Sequence, residues 1–179
     1  MNIVYDEHYI RVVDNALDDA TCDTLIDLFE SNPELHVELP YLQMKLHDLV
    51  DMRVDPVQDT ISNIIHQQLV SYQRYWDPLH MMPVQYGLEG YKIKAYRPNE
   101  HEMTLHVDQM EQFTARRFLG FLFYLNDNEA GTEFPLIDYN RPARKGTLLM
   151  HPPGWQNPHR GIMPTEGTKY IITGYTVYV

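Results

Sequence analysis

The sequence predicts an α+β fold: helices in about residues 1–80 buttress one face of a curled, mostly antiparallel sheet built from about 84–179. Three observations carry this expectation. Two stretches of the N-terminal half repeat apolar residues at helical spacing. Beyond Pro83 the pattern changes to short runs rich in Val, Ile, Tyr, Phe and Thr, punctuated by Gly, Pro and Asn. No internal repeat, low-complexity tract or Ser/Gly linker divides the 179 residues, so one domain spanning 1–179 is expected. A jelly roll or barrel-like sandwich is the form that so many short strands favour, with an interior open to a ligand.

The elements follow in order. Residues 18–31, "DDATCDTLIDLFES", start on acidic cap candidates and set Leu25, Ile26, Leu28 and Phe29 on one helical face. Asp55-Pro56 reads as an N-cap followed by an N1 proline. It opens a long amphipathic helix in which Val57, Ile61, Ile64, Ile65, Leu69, Tyr72 and Trp76 recur. The next stretch, "DPLHMMPVQYGLEG", is too irregular for a helix and, with Gly87 and Gly90, reads as a flap. Strands are expected at about 91–96, 103–108, 118–125, 146–151 and 169–178. Strand alternation turns Leu119, Phe121, Phe123 and Leu125 toward the helices, and Gly120, Leu122 and Tyr124 inward. In the same way Tyr91, Ile93 and Ala95 face the helices, while Lys92, Lys94 and Tyr96 face the interior or its mouth.

Composition removes several function classes. A formal charge of −11, with Arg116-Arg117 and Arg141 to Lys145 as the only basic clusters, disfavours nucleic acid as a partner. No run of eighteen apolar residues predicts a membrane span. The N-terminus lacks a basic segment followed by an apolar one, and the single Cys22 has no partner for an internal disulfide, so a cytoplasmic, reducing setting is expected.

One short motif carries chemistry. "LHVDQ" places His106 and Asp108 two apart, on one face if the strand continues through both. With nine His and fourteen Asp in the chain, roughly one such pair arises by chance, so it needs a third ligand. Two histidines and a carboxylate on one face of an iron, with the other positions open, suit oxygen chemistry. Downstream, "HPPGWQNPHRG" offers both His151 and His159. Lys169 follows His159 by ten residues, where its cation could meet the far end of a dicarboxylic acid. His36 and Glu38 imitate the motif without a partner at the right spacing, and His101 reads as a loop residue.

Taken in order, "YKIKAYRPNEHEMTLHVDQ", "FLFYLND", "AGTEFP", "KGTLLMHPPGWQNPHRG" and "GTKYIITGY" resemble the Fe(II)- and 2-oxoglutarate-dependent dioxygenases, in particular the prolyl 4-hydroxylase-like branch. The resemblance covers about 84–179 and implies a double-stranded β-helix, the cupin-like jelly roll. It makes His106, Asp108 and His159 the Fe(II) ligands, and assigns Lys169 and the Tyr124 hydroxyl to the C5 carboxylate of 2-oxoglutarate. Tyr96 and Thr173 fall beside the cosubstrate. Tyr175 is an inward position on the last strand and, with Lys94, is assigned to substrate. Ala130-Gly131 stands where the family often has two glycines before a turn.

The implied activity is that of a procollagen-proline 4-dioxygenase-like enzyme. It would use dioxygen and 2-oxoglutarate to hydroxylate a C–H bond, release succinate and CO2, and take ascorbate as an optional accessory reductant. The substrate expected is a prolyl residue of a peptide or protein. A free amino acid or other small molecule is the first alternative, and a non-catalytic cupin-like metal-binding module the second.

Overall fold

A computed structural model describes residues 1–39, 44–48 and 55–179, without the side chains of 38–39, 44–48 and 55–56. Two sheets and two helices make the architecture. The strands are β1 (Asn2–Glu7), β2 (Ile10–Asp14), β3 (Val37–Leu39), β4 (Met44–Asp48), β5 (Gly87–Leu88), β6 (Lys92–Tyr96), β7 (Met103–His106), β8 (Arg117–Tyr124), β9 (Asn128–Phe134), β10 (Tyr139–Ala143), β11 (Leu148–His151), β12 (His159–Gly161) and β13 (Lys169–Val177). The large sheet runs β1-β2-β11-β8-β13-β6-β4-β3, with β5 paired to β13; the small sheet runs β10-β9-β12-β7.

Helix α1 (Asp19–Ser31) begins where expected: the Asp18 carboxylate accepts from the Thr21 amide at 2.8 Å, which satisfies one of the free amides of the first turn. Helix α2 (Asp55–Trp76) also matches the expected span, though the Asp55 capping side chain lies outside the described residues. Their apolar faces, with Leu25, Phe29, Ile61, Ile65 and Leu69, pack on Leu119, Phe121, Phe123, Leu125, Tyr91, Ile93 and Ala95 of the large sheet. The other face of that sheet turns Tyr96, Leu122, Tyr124, Leu149 and Ile171 onto Phe134 and Ala143 of the small sheet. Period-2 alternation thus sorts β6 and β8 onto a helix side and an inter-sheet side as the sequence predicts.

The N-terminal stretch is not purely helical. β1 and β2 extend one edge of the large sheet, and β3 and β4 extend the other. The β1–β2 turn is made by His8 and Tyr9, both at positive φ (52° and 62°), so the glycine or asparagine that usually announces such a hairpin is absent. Two further expectations change. In "AGTEFP" all but the final Pro135 lie within strand β9 rather than in a turn: Gly131 sits in the small sheet, where a Cβ would lie 1.6 Å from the Arg141 carbonyl oxygen. The 77–90 segment read as a flap is fastened. Asp77 accepts from the Met81 and Met82 amides, β5 pairs with β13, and the Glu89 amide donates to the Tyr175 carbonyl.

Candidate active site

The two histidines of the site face each other across a strand pair. His106, the last residue of β7, is in register with His159, the first of β12, and their ring centroids are 4.5 Å apart. Asp108 lies beyond the end of β7, in a bend, so the strand periodicity invoked for His106 and Asp108 does not apply. The Pro-rich segment holds the bend instead: the amides of Asp108 and Gln109 both donate to the Pro153 carbonyl, at 3.0 and 3.2 Å. Arg117 closes the far side by donating to the Asp108 carbonyl at 3.0 Å.

Ligand atoms of His106, Asp108 and His159 all lie within 4.8 Å of one another. The donor set fits a divalent metal for a reason visible in the rings. The His106 Nδ1 meets the Thr104 carbonyl at 2.8 Å and the His159 Nδ1 meets that of Asn157 at 3.1 Å. A carbonyl accepts only, so each Nδ1 carries the proton and each Nε2 turns a lone pair toward Asp108, 3.5 and 3.6 Å away. Burial pulls His159 down to about 3, with His151 adding to the effect, so its ring is neutral as a ligand must be. Asp108 is also buried, which by itself would raise its pKa. The side chain of His106, the neighbouring His159 and His151, and the Tyr175 hydroxyl outweigh that and hold it well below the usual carboxylate range. Tyr175 donates to Asp108 Oδ1 at 2.6 Å.

His151, which shares its segment with His159 but which the resemblance does not make a ligand, also turns its Nε2 inward, 3.9 Å from Asp108 Oδ2. It sits on β11, buried against His159, with no room to spare: a Cβ at Gly120 would lie 3.0 Å from its Nε2. The mutual approach of ligand atoms selects His159 over His151.

The pocket over these groups is lined by Lys94, Tyr96, Met103, Leu122, Thr132, Ile171, Thr173 and Tyr175, among others. Against the Tyr96 of that lining, Lys169, 1% exposed, donates to the carbonyls of Gly131 and Ile162 at 3.2 and 2.5 Å and stands 4.5 Å from the centroid of the ring. Burial brings its ammonium down to about 7. Tyr124 is fully buried and donates to Thr132 Oγ1 at 2.8 Å, so Thr132, not Tyr124, presents a hydroxyl group to the pocket. Thr132 went unassigned in the sequence although it lies in the quoted "AGTEFP". Tyr175, the residue assigned to substrate, directs its hydroxyl at Asp108. Its ring carries the Arg117 guanidinium at 3.8 Å, and Arg117 also grips Glu89 at 2.6 Å. That Glu89–Arg117 support was not legible, because its partners are 28 residues apart. Elsewhere, His101 accepts from the Arg97 amide, and His36 stacks on Phe29.

Among the described residues, most members of the basic clusters are ion-paired: Arg117 with Glu89, Arg141 with Asp14, Arg144 with Glu129 and Lys145 with Asp23. No helix among the described residues is long and apolar enough to cross a membrane.

Comparison with known proteins agrees with this geometry. Residues 91–177 match the family described as the 2OG-Fe(II) oxygenase superfamily. The rat protein procollagen-lysine,2-oxoglutarate 5-dioxygenase 1 is 26% identical over 174 residues, covering 88% of this chain and 22% of the relative; its human counterpart is 24% identical over 179 residues. The chain thus spans about a fifth of the length of the curated relatives it matches. Among solved structures, the 2OG complex of a viral collagen prolyl hydroxylase from Paramecium Bursaria Chlorella virus-1 superimposes with a TM-score of 0.76 at 20% identity, covering 98% of this chain and 99% of that one. A Trichoplax adhaerens prolyl hydroxylase in complex with a hypoxia inducible factor peptide fragment gives 0.72 at 16% identity, covering 96% and 84%.

Proposed function

From the match of residues 91–177 to the 2OG-Fe(II) oxygenase superfamily we propose that the protein is a dioxygenase that hydroxylates a prolyl residue within a peptide or protein. The observation that carries the oxygenase reading is the His106, Asp108 and His159 set facing one pocket, with the buried Lys169 against the Tyr96 ring that lines it. These three side chains would hold iron on one side and leave its other positions to the pocket. Lys169 would receive the far carboxylate of 2-oxoglutarate, helped by the Thr132 hydroxyl that Tyr124 orients, with the Tyr96 ring against the ammonium. When bound, iron and 2-oxoglutarate supply the oxidising power that puts one atom of dioxygen into a C–H bond while succinate and CO2 leave. Met103, Leu122 and Ile171 wall the pocket with apolar surface and keep water from the reacting atoms. We read the two facing sheets as an open double-stranded β-helix, with 1–179 acting as one unit.

The choice of target rests on less. The similar solved structures are prolyl hydroxylases, whereas the curated relatives act in name on procollagen lysine. Lys94 favours the prolyl reading, because an ammonium in the pocket lining repels the cationic side chain of a lysyl substrate. The test supplies the iron-loaded protein with 2-oxoglutarate, oxygen and peptides carrying either proline or lysine, with free L-proline as a third arm. Oxygen-dependent succinate release, with one added oxygen located on proline by fragmentation mass spectrometry, is the expected result. Oxygen on lysine, or on free proline alone, removes the target and leaves the oxygenase. Failure of His106→Ala, Asp108→Ala and His159→Ala to lose iron removes the site itself.

A further inference from the structure

Two lysines point into the space between the sheets, and the reading above employs only one. Lys169 is buried, in register with Tyr96 on the neighbouring strand. Lys94 stands one inward position away on β6, opposite Ile171, and lines the pocket beside His106, Asp108 and Thr173. Lys169 donates to two carbonyls. Lys94 makes no hydrogen bond or ion pair among the described residues. The nearest acid facing it is Asp108, which is engaged by Tyr175 and the histidines, and the nearby Arg117 is held by Glu89. A half-buried ammonium without a partner is unfavourable unless something that binds there completes it.

We propose that Lys94 sets the substrate specificity of this pocket by receiving a carboxylate of the substrate beside the position that is hydroxylated, an inference that rests on the hydroxylase reading above. Charge balance points the same way. Iron(II), the Asp108 carboxylate, the two carboxylates of 2-oxoglutarate and the Lys169 ammonium sum to zero when the histidines are neutral. Lys94 is then one positive charge in surplus in a pocket walled by Met103, Leu122 and Ile171, where an unbalanced charge is felt strongly. Burial lowers its ammonium only to about 8, so it is charged at neutral pH. The substrate carboxylate can come from an Asp or Glu next to the target residue, or from a chain end.

The test is binding, measured by calorimetry without oxygen on wild-type protein holding iron and 2-oxoglutarate. The probes are acetyl-Ala-Pro-X-Ala-amide and acetyl-Ala-X-Pro-Ala-amide, with X as Asp, Glu, Asn or Gln, and acetyl-Ala-Pro with a free or an amidated end. The acid member of at least one pair should bind roughly 10- to 100-fold more tightly than its amide isostere, the range of a charge-assisted hydrogen bond. Lys94→Met should abolish that difference by weakening the acid member alone. The internal pairs and the terminal pair report which source of carboxylate the pocket takes. Equal affinity within every pair, including no measurable binding of any probe, overturns the proposal without recourse to a variant, as does Lys94→Met weakening acid and amide alike. Wild-type protein that fails to bind iron and 2-oxoglutarate in the same experiment overturns the parent reading instead.

Discussion

Tyr175 acts on the metal site without being a ligand. Burial, and then the charge of Asp108, raise its pKa far above the ordinary value, so it stays a phenol and keeps donating to the carboxylate. Tyr175→Phe removes that bond while leaving the ring under Arg117. Iron affinity should fall roughly 10- to 100-fold, as is usual when a support behind a metal ligand is lost, and a chelator competition titration measures it. Lys169 gives a pH signature. Its pKa near 7 in the folded apoprotein lies below the ordinary 10.5, so between those values the unfolded chain binds more protons. The burial penalty is present in full below about pH 7 and is relieved as pH rises toward 10.5, so apoprotein stability should climb through that window and Lys169→Met should flatten the climb. On the proposed function, binding of 2-oxoglutarate at Lys169 would restore the proton, so above pH 7 its affinity should fall and calorimetry in buffers of different ionisation enthalpy should register proton uptake.

At the scale of the element, β9 is the most exacting strand. Its Gly131 meets the Arg141 carbonyl so closely that no side chain fits, and its own carbonyl accepts from both Lys169 and the Ile162 amide. Gly131→Ala must therefore separate β9 from β10 and displace the bond to the buried lysine. A loss of about 1–3 kcal/mol is expected from chemical denaturation, the usual range for overpacking. It should be accompanied by weaker 2-oxoglutarate binding, which a substitution on the helix side would not produce. The β7–β12 pair shows the opposite economy: two strands of four and three residues suffice to oppose His106 and His159, because register alone sets their separation.

For the whole molecule, the large sheet is the wall between two kinds of interior. On one side it meets α1 and α2 in a core that is mostly apolar, and on the other it bears the pocket and its cations. The buried Arg11, paired with Asp6 and bonded to Ser71 of α2, ties the N-terminal hairpin to the helical layer. This division predicts separable effects. Phe123→Ala, on the helix side of β8, should cost about 3–5 kcal/mol of stability, a large part of what a domain of this size has. The folded fraction should bind iron as wild type does. Iron loss beyond the unfolded fraction would show that the two sides are not independent.

The sequence by itself determined the helices, the faces of β6 and β8, and the identity of the groups that carry chemistry, because helical and strand periods are local and the motif spacings are read along the chain. Asp18 capping, the sorting of Phe121 from Leu122, and His106, Asp108, His159 and Lys169 as the residues of interest were all legible in this way. The β1–β2 hairpin was not, since His8 and Tyr9 adopt a conformation that their residue types do not advertise. β9 was read as a turn because its glycine answers to Arg141, a contact absent from its own stretch of sequence. Only the tertiary structure decided that Asp108 is placed by Pro153 and Arg117 rather than by its strand, that Tyr175 serves the carboxylate, that Thr132 stands in front of Tyr124, and that Lys94 has no partner among the described residues. Each of these depends on atoms brought together from distant parts of the chain, and a pattern confined to neighbouring residues contains no record of such distances.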